Sequence, residues 1–418
     1  MEAESPNHVS AAEPAIVMQP NSVKGLPALV EEISRRVQAL ADGGDVSRRD
    51  LVAKCHQLLY CLESPREVML RDCWAQPGAI AAVNLGIASG LWTLMAQNGD
   101  KGQRVSDLAS RLAVDPKLLM RTMRHLGAMG YLVETGEDEY MPTNYSKSLS
   151  NPSIASGYLA ACACTSTAAM KFHEFARERA WRNPTDALDT SLMYAYKTDK
   201  NLFAWLECQG YATEFNQLMV GYHLGRKSWG SPGFFPVQER LINGAVTGKP
   251  FLVDIGGNVG HDLLQFKRHY PDAPGTLVLQ DLEAVIGKIT DLDPSIIRME
   301  HDFHNEQPVK GARAYYMRSI LHDWPDEVCV VILSRIKEAM EPGYSRLLIN
   351  EKIMPSTMPD WEITGLDMMM MTLLSSEERT EASWRSLIEG KAGLKISKIW
   401  SDRGKSVESV IECELEVL

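Results

Sequence analysis

The stretch LVDIGGNVGHD, residues 252–262, runs from an apolar segment straight into a glycine-rich turn. Gly256, Gly257 and Gly260 allow the backbone to bend sharply and to approach a ligand closely. The same texture continues on either side. From residue 250 onward short apolar segments alternate with helical stretches: FLVDIGG, TLVLQDL, IRMEHDF, RAYYMRSILHDW and RLLINEKIMP. That alternation predicts a parallel sheet with crossover helices. LKISKIW and VESVIECELEV follow, joined by a short polar turn, and are expected to form a hairpin that adds an antiparallel edge. Ligands of such α/β sheets bind outside the carboxyl ends of the strands, where the strand order reverses. The polar residues at those ends are therefore the ones to weigh.

Asp254 ends the first strand and could hydrogen-bond an amine or a cation. Tested from Gly256, the dinucleotide fingerprint GxGxxG needs glycine at 258 and 261, where Asn258 and His261 stand. A pyrophosphate cofactor is disfavoured, and no GxxxxGK[ST] phosphate loop exists either. Asp281 ends the second strand, 27 positions beyond Asp254, which suits one βαβ unit. An acid there typically accepts from both ribose hydroxyls. The third strand ends in Asp302 and Phe303, an acceptor and a ring suited to an adenine amino group and its face. One acid at a strand end is more often a surface group; three in register in successive units point to a nucleoside site.

The chain has 418 residues, 45% of them hydrophobic and 23% charged, the composition of a globular protein of two or three units. No apolar run approaches the ~18–20 residues that span a bilayer. The formal charge of −11 opposes a general affinity for nucleic acid or anionic membrane. The eight cysteines are scattered without a CxxC pair, so reduced thiols, and not disulfides or zinc, are expected in a cytoplasmic protein. Residues 1–23 are acidic and Pro/Ser/Asn-rich, without a basic-then-apolar signal, and are expected to be a disordered tail.

Residues 24–150 open with two helices, LPALVEEISRRVQALAD and RRDLVAKCHQLLYCLE, the second with Ser47 as N-cap. Further on, SDLASRLA, a turn at residues 114–116 and PKLLMRTMRHLGAMG make a helix–turn–helix. A hairpin follows, YLVET–GED–EYMPT, with Gly136 expected to supply the turn. The pattern is that of a winged helix, whose obvious use is reading DNA. Yet residues 100–147 carry seven basic and seven acidic side chains, so no electrostatic footprint appears. Lys117, Arg121 and Arg124 are expected to be a solvated face, with the apolar face used for packing or dimerisation. Residues 151–245 read as helices rich in aromatics that serve either as core or as the lining of a hydrophobic substrate pocket; the sequence does not assign them. Residues 246–418, which hold the alternating strands and helices, are expected to be the cofactor-binding catalytic domain.

The ordered set VDIGGNVG, DL, HDF, LHDW, NEKIMP and EERTEASWRSLIEGKAGL resembles the S-adenosylmethionine-dependent O-methyltransferases of the plant caffeate/flavonoid type and their fungal secondary-metabolism relatives. The resemblance covers residues 80–418. It implies a Rossmann-like class I methyltransferase domain with a seven-stranded sheet, plus a mostly helical N-terminal winged-helix dimerisation domain, and therefore a homodimer. It places the cofactor on Asp254, Gly256, Gly257, Asp281, Leu282, Asp302 and Phe303. The family's usual lysine, four residues before the LHDW histidine, is Arg318 here, which remains cationic with a longer fork. The family's GGGTG is GGNVG.

The resemblance also makes His322 of LHDW the catalytic base. A phenol of pKa ~10 is a poor nucleophile at neutral pH, and an imidazole of pKa ~6.5 can take its proton during attack. The family's two glutamates beside that histidine match Glu351 and Glu378. Asp323 is expected to point away from the ring or to position the cofactor loop. Asp323, Trp324 and one of the four methionines 368–371, Met370, are expected near substrate, since four adjacent residues cannot share one helix face. The implied activity is O-methylation of a phenolic or enolic small molecule. The alternative is a relative of the same fold that has lost methyl transfer and catalyses dehydration or pericyclic closure of a polyketide-type substrate. A DNA-binding protein and a Mg²⁺-dependent catechol methyltransferase are disfavoured, the latter for want of a carboxylate cluster, and no metal is expected.

Overall fold

The computed structural model describes residues 14–43, 47–223, 225, 227–401 and 408–416. Its contacts divide the chain into two units, Met1–Asn151 and Pro152–Leu418.

In the first unit the helices Leu26–Ala41 and Arg48–Leu62 lie where the apolar spacing predicts them, and the Ser47 hydroxyl accepts from the Asp50 amide at 3.2 Å, closing the expected cap. The tail expected over 1–23 is ordered from Pro14 onward. Residues 1–13 lie outside the described residues, but Pro14–Met18 form a 3₁₀ turn. The amides of Asn21 and Ser22 donate to the carbonyls of Glu63 and Cys61 at 3.1 Å, tying this segment to the second helix. The helices Val105–Leu112 and Pro116–Ala128 meet at Asp115, whose carboxylate accepts from the Leu118 amide at 2.9 Å. A small sheet of order β1-β3-β2 follows, from Gln103–Arg104 (β1), Leu132–Gly136 (β2) and Glu139–Pro142 (β3). The hairpin differs from expectation: Gly136 pairs within the ladder, and Asp138 takes the left-handed conformation at φ +50°. Aspartate tolerates that region because its short side chain can hydrogen-bond locally. Lys117, Arg121 and Arg124 are exposed, and Arg124 pairs with Asp138 at 3.0 Å.

The second unit is built on a seven-stranded sheet. Its strands are Pro250–Ile255 (β4), Thr276–Asp281 (β5), Ile296–Glu300 (β6), Ala314–Arg318 (β7), Arg346–Lys352 (β8), Lys395–Ser401 (β9) and Glu408–Glu414 (β10). They lie in the order β6-β5-β4-β7-β8-β10-β9, with the first five parallel. β10 inserts antiparallel between β8 and β9, so β9 is the edge; the turn expected between them, residues 402–407, lies outside the described residues. Strand order reverses between β4 and β7, which opens a crevice at their carboxyl ends.

Both faces of the sheet are covered. Alternation along β7 sends Tyr315 and Met317 into a cluster with Ile332, Leu333 and Ile336 of the helix Asp326–Lys337, and with Trp384. It sends Ala314 and Tyr316 into the opposite cluster, where Trp229 stacks between Tyr316 at 4.7 Å and Phe266 at 5.6 Å. Trp229, Phe234 and Phe235 are thus core. Further helices of residues 152–245 pack Cys164, Leu192, Trp205 and Leu206 against Met370, Leu373 and Leu374 of the helix Trp361–Leu374. Met370 is 3% exposed and takes part in that packing, so it is not placed as a surface offered to substrate; Met368 is 50% exposed.

Candidate active site

The glycine turn leaves β4 at the reversal of strand order. Gly256 and Gly260 stand at φ +70° and +82°, with Asn258 between them at +52°. Asparagine is among the few residues that visit this region routinely, which is why Asn258 can take its place in the turn. A Cβ on Gly257 would stand 2.5 Å from the Asp254 carboxyl and from Leu279. One on Gly256 would stand 2.6 Å from Ile320 and 3.8 Å from the Phe303 ring. The turn therefore runs directly beside both Phe303 and the segment that leads to His322.

Asp254 is 2% exposed, and its Oδ2 has no protein partner. Burial first, then the charges of Asp262 and Asp281, hold its carboxyl well above the usual range against the pull of Arg318. Asp281 accepts from the Asn258 and Leu282 amides, each at 2.8 Å, which fixes the acid against the turn. Burial raises its carboxyl above the ordinary value, and those two amides oppose the shift. Asp302 accepts from the His304 amide at 3.0 Å, and Leu282 is 53% exposed at the mouth. A buried carboxylate oxygen without a donor, beside a backbone that no side chain fits, suits the amino-acid end of S-adenosylmethionine, and Asp281 and Asp302–Phe303 lie in order for its nucleoside.

Arg318 does not reach into that crevice as expected. Its guanidinium donates to Asp262 at 2.9 Å and to Glu408 at 3.1 and 3.3 Å, with only its Nε unpartnered. Arg318 thus clamps the first turn of the helix His261–His269 to β10, where the sequence suggested a cofactor contact. Trp324, expected near substrate, packs against the end of the third strand, edge-on to Phe303 at 6.3 Å and to His304 at 5.0 Å.

After β7, Ser319 at φ +50° bends the chain into the 3₁₀ turn Leu321–Asp323, and Pro325 starts the next helix. The imidazole of His322 is buried. Its Nδ1 meets Glu378 Oε1 at 2.6 Å, and its Nε2 lies 3.4 Å from Asp323 Oδ1. Asp323 therefore faces the ring, against the expectation that it points away. Glu351 holds the backbone and not the ring: its Oε1 accepts from the amides of Ile320 (3.0 Å), Leu321 (2.9 Å) and His322 (3.4 Å). Burial works against charge on the imidazole, but Glu351, Asp323 and hydrogen-bonded Glu378 outweigh it and push the ring well above its ordinary value. Burial, partly opposed by His322, raises Asp323 to about 6 and Glu351 to about 7. His322, Asp323 and Glu351 each feel the others' charge in this buried cluster, so their titrations are linked. Such a cluster can accept or give a proton at Nε2.

Three groups escaped the sequence reading. Ser376 Oγ donates to the His322 carbonyl at 2.5 Å, Asp367 accepts from the Glu378 amide at 2.9 Å, and Arg379 is buried under the turn. The signal for Arg379 was its place inside EERTE, directly after Glu378. Among the described residues no group of three or more His, Cys, Asp or Glu is placed to hold a metal ion, and no single helix is long and apolar enough to cross a membrane.

A reversed-order α/β sheet with a glycine turn, acids at the ends of successive strands and an acid-held histidine defines a class I methyltransferase. The O-methyltransferase domain model matches residues 237–395. O-methyltransferase mpaG of Penicillium brevicompactum is 34% identical over 93% of this chain and 98% of its own length. The structure of LepI in complex with S-adenosylmethionine superposes with TM-score 0.84 at 29% identity, covering 93% of this chain and all of that one. A structure described as a pericyclic reaction enzyme gives TM-score 0.82, also at 29% identity and the same coverage. The chain belongs to the S-adenosylmethionine-dependent O-methyltransferase family of fungal secondary metabolism, and S-adenosylmethionine is its cofactor.

Proposed function

We propose that this enzyme methylates a hydroxyl of a phenolic or enolic small molecule, with His322 as general base. The observation that carries the reading is the 2.6 Å contact of Glu378 with Nδ1, which leaves Nε2 as the nitrogen for substrate. Glu378 sets the ring's tautomer and stabilises the imidazolium that forms, as the acid does in other His–carboxylate pairs. Asp254, Gly256 and Gly257 would hold the amino-acid end of the cofactor, Asp281 and Leu282 the ribose, and Asp302 and Phe303 the adenine. S-adenosylmethionine supplies, when bound, a methyl group on a cationic sulfur. A cation beside the cluster disfavours the imidazolium, so His322 enters the reaction able to take the hydroxyl proton. Asp323, 3.4 Å from Nε2, is placed to receive or orient that proton.

His322→Ala is expected to lower transfer of labelled methyl by about 10²–10⁴-fold with cofactor affinity kept. Full activity in that variant removes the base assignment.

A second reading has a specific observation behind it: a structure described as a pericyclic reaction enzyme superposes with TM-score 0.82, and the His322 ring is held toward its protonated form. A protonated histidine can activate an alcohol for loss as water. Product formed without label transfer from S-adenosylmethionine would select this reading.

We further infer a homodimer through the first unit, whose helices leave Leu59, Tyr60, Leu62, Met69 and Trp74 exposed. A cytoplasmic location accords with eight free thiols.

A further inference from the structure

We infer that Arg379 is a positioning residue for proton transfer, clamping the His322 turn to the loop that carries Glu378. The inference rests on His322 acting as the base. Arg379 is 1% exposed. Its Nη1 donates to the Leu321 carbonyl and its Nη2 to the Trp324 carbonyl, both at 2.9 Å, so it brackets His322 from the two sides of the turn. Its Nε donates to Asp326 at 3.0 Å, and the Trp384 ring lies 5.2 Å from its carbon.

The turn is thereby gripped from two directions. Glu351 on β8 takes its amides, while Ser376 and Arg379 take its carbonyls. Arg379 also follows Glu378 directly in the chain. The same two-residue segment therefore sets the backbone under His322 and the acid against its ring, and the 2.6 Å contact depends on their register. Buried ion pairs are weak stabilisers because desolvation offsets their attraction. A flat fork that spans two carbonyls and an acid supplies geometry that a lysine's single nitrogen cannot.

Charge and position make opposite predictions for the ring. The charged or titratable groups facing Arg379 are Asp326, Glu377 and Cys329, and those facing His322 are Asp323, Glu351 and Glu378. Deleting a nearby cation alone favours the imidazolium and raises the ring's pKa. Losing the Glu378 contact lowers it.

The test compares wild type, Arg379→Lys and Arg379→Met by labelled methyl transfer and by ¹⁵N-histidine NMR titration of the protein alone, with His322→Gln assigning the signal. Arg379→Lys is expected to lower kcat about 10–100-fold, with KM for S-adenosylmethionine little changed. The His322 ring is expected to titrate lower in both variants. A ring pKa that rises in Arg379→Met and holds in Arg379→Lys overturns the proposal in favour of charge alone. Lower stability with kcat and titration intact overturns it in favour of packing alone. Should Arg379→Met fail to fold, Arg379→Lys decides. Wild type that transfers no label, with the ring pKa still falling in the variants, removes the methyl-transfer reading and leaves the clamp standing.

Discussion

Glu351→Gln separates the two duties that Glu351 combines, and pH is the lever. Its Oε1 accepts from two amides at 3.0 and 2.9 Å and from a third at 3.4 Å, so a glutamine oxygen can keep the turn in place. What glutamine removes is ionisation. Burial raises the folded carboxyl to about 7 from an ordinary 4.5. A raised folded pKa means that the stability contributed by this group is complete below about pH 4.5 and is lost as pH rises through about 7. The difference of about 2.5 units corresponds to about 3 kcal/mol, an upper bound because the cluster shares its protons. His322 acts in the same direction. Its raised pKa gives stability below about pH 6.5 that Glu351 helps supply and that disappears at high pH. Urea unfolding at pH 5 and pH 8 is therefore expected to move in favour of glutamine by up to about 3 kcal/mol between the two. Glu351→Ala leaves the amides unsatisfied as well, at about 1–3 kcal/mol each for the two short bonds. It is expected to fall below glutamine by about 2–6 kcal/mol at both pH values. Parallel wild-type and glutamine curves would refute the raised carboxyl, and an alanine variant as stable as glutamine would refute the assignment of Glu351 to the backbone of the turn.

Gly257→Ala drives a methyl to 2.5 Å from Asp254 and Leu279; it is expected to abolish measurable S-adenosylmethionine binding by calorimetry while the circular dichroism spectrum stays that of wild type. At φ +52° Asn258→Gly is expected to keep cofactor affinity, whereas Asn258→Val, with a branched carbon in the left-handed region, is expected to lose about 1–2 kcal/mol of stability in urea. The pH–rate profile at saturating cofactor tells base from acid: with His322 as base, kcat/KM rises about tenfold per pH unit up to the apparent pKa of the cluster. A rate that falls over the same range assigns His322 as an acid and favours the non-methylating reading.

The strands of the sheet were legible because each is a short apolar run ended by a glycine turn or an acid, and a buried parallel strand must be apolar on both faces. Asp254, Asp281 and Asp302 stood out for the same reason: a carboxylate at the end of such a run has no packing role. What escaped was set by tertiary contacts. Whether Asp323 faces the ring depends on how Ser319 bends the chain, and no local pattern announces a serine in the left-handed region. Glu351 looked like a partner of the imidazole from its place after β8, yet a strand-end side chain reaches amides and rings alike. Gly136 drew the turn to itself by propensity, while the register placed Asp138 there. Met370 differs from its neighbours only in which way the helix turns it.

Arg318 stands where the family usually has a lysine, and its surroundings give the arginine a reason of its own. A lysine there offers one nitrogen; the guanidinium reaches Asp262 on the helix of the glycine turn and Glu408 on β10 at once. With side-chain exposures of 13%, 13% and 5%, the three groups form a buried network in which two acids require a cation. Asp262 is also one of the charges that raise the carboxyl of the unpartnered Asp254, so neutralising it through Arg318 moderates the site where a cationic ligand end would dock. An enzyme with no use for that ligand gains nothing from burying an orphan carboxyl beside such a clamp, because an apolar pair of the same volume would be at least as stable. Joined to two acids in this way, the arginine has a structural reason of its own and does not by itself argue against methyl transfer.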